Sequence, residues 1–340
     1  MKILIAGLGS IGRRHLRNLG QLGVRDIVLY RTHRSSLPEE DLRGFVQETD
    51  LVAALNHQPQ AVIVANPTAL HLEVALAAAE RGCHLMIEKP LSHSLEGVRE
   101  FQSLVQRQGC RVLIGYHFRF HPGLLKVKSL LVEGAIGRPL FARAHWGEYL
   151  PGWHPWEDYR RSYSARADLG GGLVLTLSHP LDYLRWLFGN AGQVFAAVEK
   201  LSDLEIEVED TAEICLWFTG GCLATLHLDY IQRPAQHTLQ IIGSHGTIFW
   251  DNASGQVQLS RFKEDGKQEM HLFSSTSPFD PAKPLERNDL FLAEMQHFLA
   301  LVEGRESSRC TLEDGIAALR LALAAYQSAK QQRVVELEDF

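Results

Sequence analysis

The stretch Ile3-Leu4-Ile5-Ala6-Gly7-Leu8-Gly9-Ser10-Ile11-Gly12 decides the fold. Four apolar residues run unbroken and stop at a glycine, which is the pattern of a short strand buried on both faces. A helical pattern follows from about Ile11 to Leu19. Between strand and helix, Gly7, Gly9 and Gly12 have the GxGxxG spacing, and each has its own reason to be glycine. The first makes the tight turn, the second lets a pyrophosphate approach the backbone, and the third lets the helix pack on the strand. Ser10 and Ile11 open the helix, whose free N–H groups would face the phosphates. A glycine-rich turn without a ligand is the simpler alternative, but the strand–helix context favours a dinucleotide.

Outward from this unit the same grammar repeats. Apolar runs at Asp26–Tyr30, Ala61–Ala65, His84–Ile87 and Val112–Gly115 read as strands. Helices fit His71–Arg81, stopped by Gly82, and about Leu95–Gln108. Strands alternating with helices predict a parallel sheet with crossovers over residues 1–120. The texture then changes. After a helix at about Leu124–Glu133, strand-like runs appear at Phe141–Glu148, Gln193–Lys200, Thr211–Phe218, Cys222–Ile231, Thr238–Ile242 and Thr247–Asp251. Several alternate apolar and polar residues, and Gly220-Gly221 suits a hairpin turn. Ser274–Glu286 reads as a loop, and two helices close the chain at about Asn288–Glu303 and Leu312–Lys330. The predicted fold is an α/β Rossmann domain over 1–120 followed by an α+β domain over 121–340. The second domain is built on a large, mostly antiparallel open sheet, and its last helix is expected to pack back on the first domain.

Composition agrees and excludes other classes. The 340 residues suggest two domains. A formal net charge of -6 argues against nucleic acid, which needs a basic face. The five cysteines, Cys83, Cys110, Cys215, Cys222 and Cys310, include no CxxC pair and read as reduced thiols, so no metal site is expected. The first apolar run is too short to span a membrane and leads into the glycine turn rather than a cleavage site, so a cytoplasmic protein is expected. Leu216, Phe218, Leu226 and Leu228 are expected on a sheet face turned away from the helices, which would make a homodimer or homotetramer through the C-terminal sheet.

The second strand ends at Tyr30-Arg31-Thr32-His33-Arg34-Ser35, without the carboxylate that usually holds the ribose hydroxyls of NAD. Arg31, Thr32 and Arg34 offer donors to a 2′-phosphate, so NADP is expected in preference to NAD. The alternative is that both arginines are ordinary solvated surface residues.

At Glu88-Lys89-Pro90 the pattern becomes recognisable. Together with the glycine loop, Asn66-Pro67-Thr68, His71 and Gly115-Tyr116-His117-Phe118-Arg119-Phe120, it resembles the glucose–fructose oxidoreductase / inositol dehydrogenase / rhizopine catabolism (Gfo/Idh/MocA) family. The likeness continues through Gly134-Ala135-Ile136-Gly137-Arg138-Pro139, Gly170-Gly171-Gly172, His179 to Asp182, Gly243-Ser244-His245-Gly246 and Glu313-Asp314-Gly315, and so covers nearly the whole chain. It implies an NAD(P)-dependent oxidoreductase acting on a sugar, nucleotide sugar, sugar acid or related polyol. A lyase or glycosidase that retains its cofactor, or a catalytically silent NADP-binding sensor, are the alternatives.

The resemblance also implies roles. Lys89 would bond the reacting hydroxyl and favour the developing alkoxide. Pro90 resembles a proline whose preceding bond is commonly cis, which would aim Lys89 at the substrate. Asn66, Pro67, Thr68, His71 and Glu88 fall at cofactor-binding positions. His179 resembles the acid/base histidine, with Asp182 one turn on to orient the ring or bond the substrate. The site would then lie between the domains. Where related sequences often carry an aspartate this chain has Thr176, which cannot take up a proton as a carboxylate does. Tyr116, Arg119, Trp153, Tyr159, Arg160, Tyr163 and Arg166 are the substrate candidates. The run from Trp146 to Arg166, which also holds His154, Trp156 and Arg161, offers flat faces for sugar C–H surfaces and guanidinium clamps for anions. An interface or core cluster is the alternative there.

Overall fold

The computed structural model describes residues 1–32, 42–154, 157–262 and 266–340. Two compact units emerge, and each is described by itself. The first comprises Met1–His117 with Asp168–Gly170 and Phe291–Leu319, and the second the remaining described residues.

In the first unit the chain runs β1 (Ile3–Ala6), α1 (Ser10–Gln21), β2 (Ile27–Tyr30), β3 (Val46–Glu48), α2 (Leu51–Asn56), β4 (Ala61–Val64), α3 (His71–Glu80), β5 (His84–Glu88), α4 (Val98–Gln108) and β6 (Val112–Gly115). The strands form one parallel sheet in the order β3-β2-β1-β4-β5-β6. Every residue of β1, β4 and β6 is buried, which is why their sequences are unbroken apolar runs rather than alternating ones. Each fully buried Leu, Ile or Val contributes about 1.5–3 kcal/mol. The order reverses between β1 and β4, so the carboxyl ends of these strands open the crevice where doubly wound sheets take their ligands. The chain segments that follow β1, β2, β4 and β5 are the glycine loop, Arg31, Asn66-Pro67-Thr68 and Lys89-Pro90.

The second unit holds α5 (Pro122–Val132), β7 (Pro139–Gly147), α6 (Leu173–Thr176), α7 (His179–Phe188), β8 (Ala191–Glu199), β9 (Thr211–Phe218), β10 (Leu223–Asp229), β11 (Gln236–Gly243), β12 (Gly246–Asp251), β13 (Gln256–Phe262) and β14 (Gln268–Ser274). After α8 (Arg287–Val302) and α9 (Leu312–Gln331), both shared with the first unit, it ends on β15 (Val335–Glu336). Its nine strands run β14-β13-β12-β11-β7-β10-β9-β8-β15. The β7/β10 pair is parallel and the other pairs are antiparallel.

Here the alternation of the sequence becomes a division of faces. Ile214, Leu216, Phe218, Leu226, Leu228, Leu239, Ile241, Ile248 and Trp250 are buried on the side where α5 and α6 pack. The expectation that Leu216, Phe218, Leu226 and Leu228 form an open apolar face is therefore corrected, since these four are 0–4% exposed. Period-two alternation says which residues share a face, and the apolar set is the one the helices cover. The open face instead carries Glu213, Cys215, Thr225 and His227, interspersed with Phe195, Trp217, Ile242 and Phe249. All five cysteines are free thiols, and no helix among the described residues is long and apolar enough to cross a membrane.

Candidate active site

The glycine loop is closed on two sides and open on the third. Gly7 has φ +95°, and a Cβ there would lie 2.6 Å from the backbone of Ala65. A Cβ on Gly12 would overlap the Gly7 carbonyl oxygen. These two glycines are required by the protein's own packing. A Cβ on Gly9 would meet nothing within 4 Å, so the protein alone gives no reason for glycine there. Gly9 is also the N-cap of α1; no side chain caps the helix, and its first turn has no acidic residue. N–H groups that no side chain caps, beside an open backbone, are what a pyrophosphate needs, and in this the residues present fit a dinucleotide. Arg13, 4% exposed, steadies the loop by donating from Nε to the Leu8 carbonyl at 3.0 Å.

Arg31 is 5% exposed, with its guanidinium 3.4 Å from Gln47 Oε1. Glu48, on the neighbouring strand, is engaged by His57 at 2.7 Å. Arg34 and Trp156 lie outside the described residues.

The loops after β4 and β5 are held by His71. Its Nδ1 lies 3.0 Å from the Pro90 carbonyl and its Nε2 2.9 Å from the Asn66 carbonyl. Burial lowers its pKa, against these two carbonyl contacts, which raise it. His71 thus bridges Asn66-Pro67-Thr68 and Lys89-Pro90, and it is 1% exposed. The Lys89–Pro90 bond is cis. Glu88 is fixed from the other side by His15, whose Nε2 is 2.6 Å from its carboxylate.

Two residues that sequence reasoning passed over complete this support. His15 lies on the buried face of α1, on the helix that begins at the glycine loop. Glu294, on α8, is fully buried, and its carboxyl has no hydrogen-bond partner among the described residues. Burial first, and the Glu88 charge second, hold its pKa well above the usual carboxyl range. For His15 the signal was a polar residue on the apolar face of an amphipathic helix; α8 has little such asymmetry, so its pattern did not mark Glu294.

In the second unit, His179 opens α7 and is 1% exposed. Phe118 meets its ring edge-on at 5.0 Å, and Trp146 lies tilted at 5.7 Å. Trp146 stacks in turn on His237 at 4.3 Å. Burial keeps both nearby histidines neutral, His237 well below its ordinary pKa and His121 down to about 4. The three glycines before α6 are each required. Gly170 and Gly172 have positive φ, and a Cβ on Gly171 would overlap the Tyr163 carbonyl oxygen and crowd that of Arg166. The Gly172 carbonyl accepts from the Tyr230 hydroxyl at 3.1 Å, and Thr176, 4% exposed, borders the same hydroxyl. Trp153 meets the Tyr230 ring edge-on at 5.4 Å, and its buried indole N–H has no partner among the described residues.

Several expected substrate contacts are committed elsewhere. Asp182 and Arg119 form a two-point ion pair, Nε to Oδ2 at 2.9 Å and Nη2 to Oδ1 at 2.7 Å, with both side chains at most 3% exposed. Each charge thus has an opposite charge as partner at a depth where an unpaired one would be costly. Tyr116 is fully buried and presents no surface to a ligand. Arg160 is paired with Asp158 at 2.8 Å and Glu205 at 2.9 Å on the surface, and the Tyr159 hydroxyl accepts from the Glu205 N–H at 3.3 Å. Tyr163 is half-buried and Arg166 exposed. Of the substrate candidates, Trp153 is the one with an unsatisfied buried donor.

Comparison with known proteins bears on this geometry. Residues 1–116 match the family described as "Oxidoreductase family, NAD-binding Rossmann fold", and residues 128–337 match "Oxidoreductase family, C-terminal alpha/beta domain". The myo-inositol 2-dehydrogenase of Thermotoga maritima is 29% identical over 356 residues, covering 100% of this chain and 99% of its own. The 1,5-anhydro-D-fructose reductase of Ensifer adhaerens is 27% identical over 287 residues, 82% of this chain and 80% of the relative. A levoglucosan dehydrogenase solved with NADH and levoglucosan superposes with a TM-score of 0.87 over 99% of both chains; at 21% identity this likeness is one of fold. With both family domains matched in order on either side of residues 117–127, the chain belongs to the Gfo/Idh/MocA oxidoreductases, whose N-terminal domain binds NAD.

Proposed function

We propose that the protein moves a hydride between NADP, in preference to NAD, and a hydroxyl-bearing or keto carbon of a sugar, nucleotide sugar or sugar acid. The observation that carries this reading is the asymmetry of the glycine loop: Gly7 and Gly12 are closed by backbone, and Gly9 is open beside an uncapped helix. The dinucleotide, when bound, supplies the hydride acceptor or donor. Lys89, at the end of β5, steadies the negative charge on the substrate oxygen as its carbon loses hydride. His179 takes the hydroxyl proton, and returns it in the reverse direction. Thr176 does not share that proton, so His179 serves without a neighbouring carboxylate at that position. The buried Trp153 N–H supports a polar ligand in the second unit, and the names of the relatives support a sugar or cyclitol as its class.

The preference for NADP rests on Arg31 and on the absence of a carboxylate from Tyr30-Arg31-Thr32, with Glu48 already engaged by His57. A homodimer or homotetramer through the second sheet is supported by its open face, where Phe195, Trp217, Ile242 and Phe249 are 37–42% exposed. The test of the function is a panel of sugars, sugar acids and nucleotide sugars with each cofactor. A net change in reduced-nicotinamide absorbance with a member of the panel supports the reading. Product without net change would indicate a cofactor-retaining lyase, and binding without product a sensor.

A further inference from the structure

The open face of the second sheet carries a polar cluster that the oxidoreductase chemistry does not use. Strand register assembles it from residues far apart in sequence. In the parallel β7/β10 pair, His227 stands opposite His145, and in the antiparallel β9/β10 pair it stands opposite Glu213. Asp229 lies two residues beyond His227 on the same face. The two imidazoles stack at 4.7 Å, and one ligand-type atom from each of His145, His227 and Asp229 lies within 4.8 Å of the others. The cluster borders a depression of about 290 Å³, where Arg143 is the one cationic lining residue and Glu213 its acidic counterpart.

We propose that this cluster is a binding site for a divalent transition-metal ion of the zinc type. The ion would be held by one ring nitrogen from each of His145 and His227 and by the Asp229 carboxylate. Two imidazoles and a carboxylate are a zinc donor set, and three protein ligands leave a fourth position for water. The outer contacts already orient the inner ones. His227 Nδ1 lies 2.6 Å from the Glu213 carboxylate and Nε2 3.0 Å from Asp229 Oδ2; in the neutral ring whose Nδ1–H is donated to Glu213, the Nε2 lone pair is the one offered to the metal. Asp229 Oδ1 accepts from the backbone N–H groups of Ile231 and Gln232 at 2.8 and 2.6 Å, which fixes the direction of Oδ2. Gln232 Oε1 lies 2.5 Å from His145 Nε2 and fixes that ring. Zinc bonds of about 2.1 Å place tetrahedral ligand atoms roughly 3.4 Å apart. Separations of up to 4.8 Å in the cluster would have to close toward that value while the 3.0 Å His227–Asp229 contact opens slightly, movements for two half-buried histidines.

The competing occupant is a proton. An imidazolium at His227, donating to the carboxylates of Asp229 and Glu213, satisfies the same geometry. A metal must displace that proton, and the Arg143 charge opposes it, so metal affinity rises with pH.

The test uses the full chain, freed of metal by chelator and titrated at pH 8 with zinc ion alone against a chromophoric competitor. The expected result is one zinc per chain, with at least a 100-fold loss of affinity in both His145→Ala and His227→Ala and a 10- to 100-fold loss in Glu213→Gln. Cobalt(II) bound to the unaltered protein is expected to show the visible bands of a four-coordinate ion, a readout that needs no variant to fold. No zinc uptake, uptake unchanged in both histidine variants, or cobalt without those bands would each overturn the proposal.

Discussion

Replacing Gly9 by alanine separates what the glycine loop does for the fold from what it does for the cofactor. The new Cβ meets no atom within 4 Å, and φ at this position is -71°, which alanine adopts without strain. As an N-cap, alanine is worse than glycine by about 0.5–1 kcal/mol, while the stiffer unfolded chain returns about 0.4–1 kcal/mol. Stability should thus stay within roughly 1 kcal/mol of the parent. The methyl group instead occupies the space through which a pyrophosphate reaches the backbone. Losing one charge-assisted contact costs about 1.5–3 kcal/mol, or about 10- to 150-fold in affinity. Gly12→Ala is the internal contrast: its Cβ overlaps the Gly7 carbonyl, so it should lower stability by about 1–3 kcal/mol through forced backbone movement. Thermal melts and fluorescence titrations with NADPH and NADH would measure both effects. If Gly9→Ala binds both dinucleotides as tightly as the parent while remaining folded, the loop is not the pyrophosphate cradle.

Arg31→Asp should weaken NADP by about 10- to 150-fold relative to NAD, and a parent protein that binds NAD as tightly as NADP would refute the assigned preference. Glu294 has a folded pKa above its unfolded value, so the parent loses stability as pH rises from the unfolded value toward the folded one. The difference in melting temperature between Glu294→Gln and the parent should therefore move in favour of glutamine as pH rises above the ordinary carboxyl value of about 4.3, and a flat difference would contradict the raised direction. Phe249→Asp on the open sheet face should shift the assembly toward monomer by light scattering; a parent already monomeric at micromolar concentration would remove the proposed oligomer.

The parallel sheet was legible because its strands are buried on both faces, and Ile3–Ala6 or Ala61–Val64 can be nothing else at that length. The edge strand Val46–Glu48 was not, since it has three residues and Val46 is 48% exposed. Gln268–Ser274 also escaped, because none of its residues is buried and its pairing comes from the neighbouring strand. In the site, residues whose role is set by local backbone were readable: Gly7, Gly12 and the Lys89–Pro90 turn. Residues whose role depends on a distant partner were not. Asp182 reads as a neighbour of His179 by helical spacing, but its ion pair with Arg119, on a different element, is recorded by no spacing in the sequence. The His145–His227 pairing depends in the same way on strand register, which no spacing in the sequence records.

The central claim is that Lys89 and His179 serve hydride transfer with a nicotinamide cofactor. Single-turnover kinetics with saturating NADP and the substrate found in the panel test it most directly, read as reduced-nicotinamide absorbance in the parent, Lys89→Ala and His179→Ala. The account predicts a slowing of about 10²–10³-fold for Lys89→Ala with NADP affinity nearly unchanged. It predicts about 10²–10⁴-fold for His179→Ala, partly restored at high pH where the hydroxyl ionises more readily. Full single-turnover rates in both variants would contradict it.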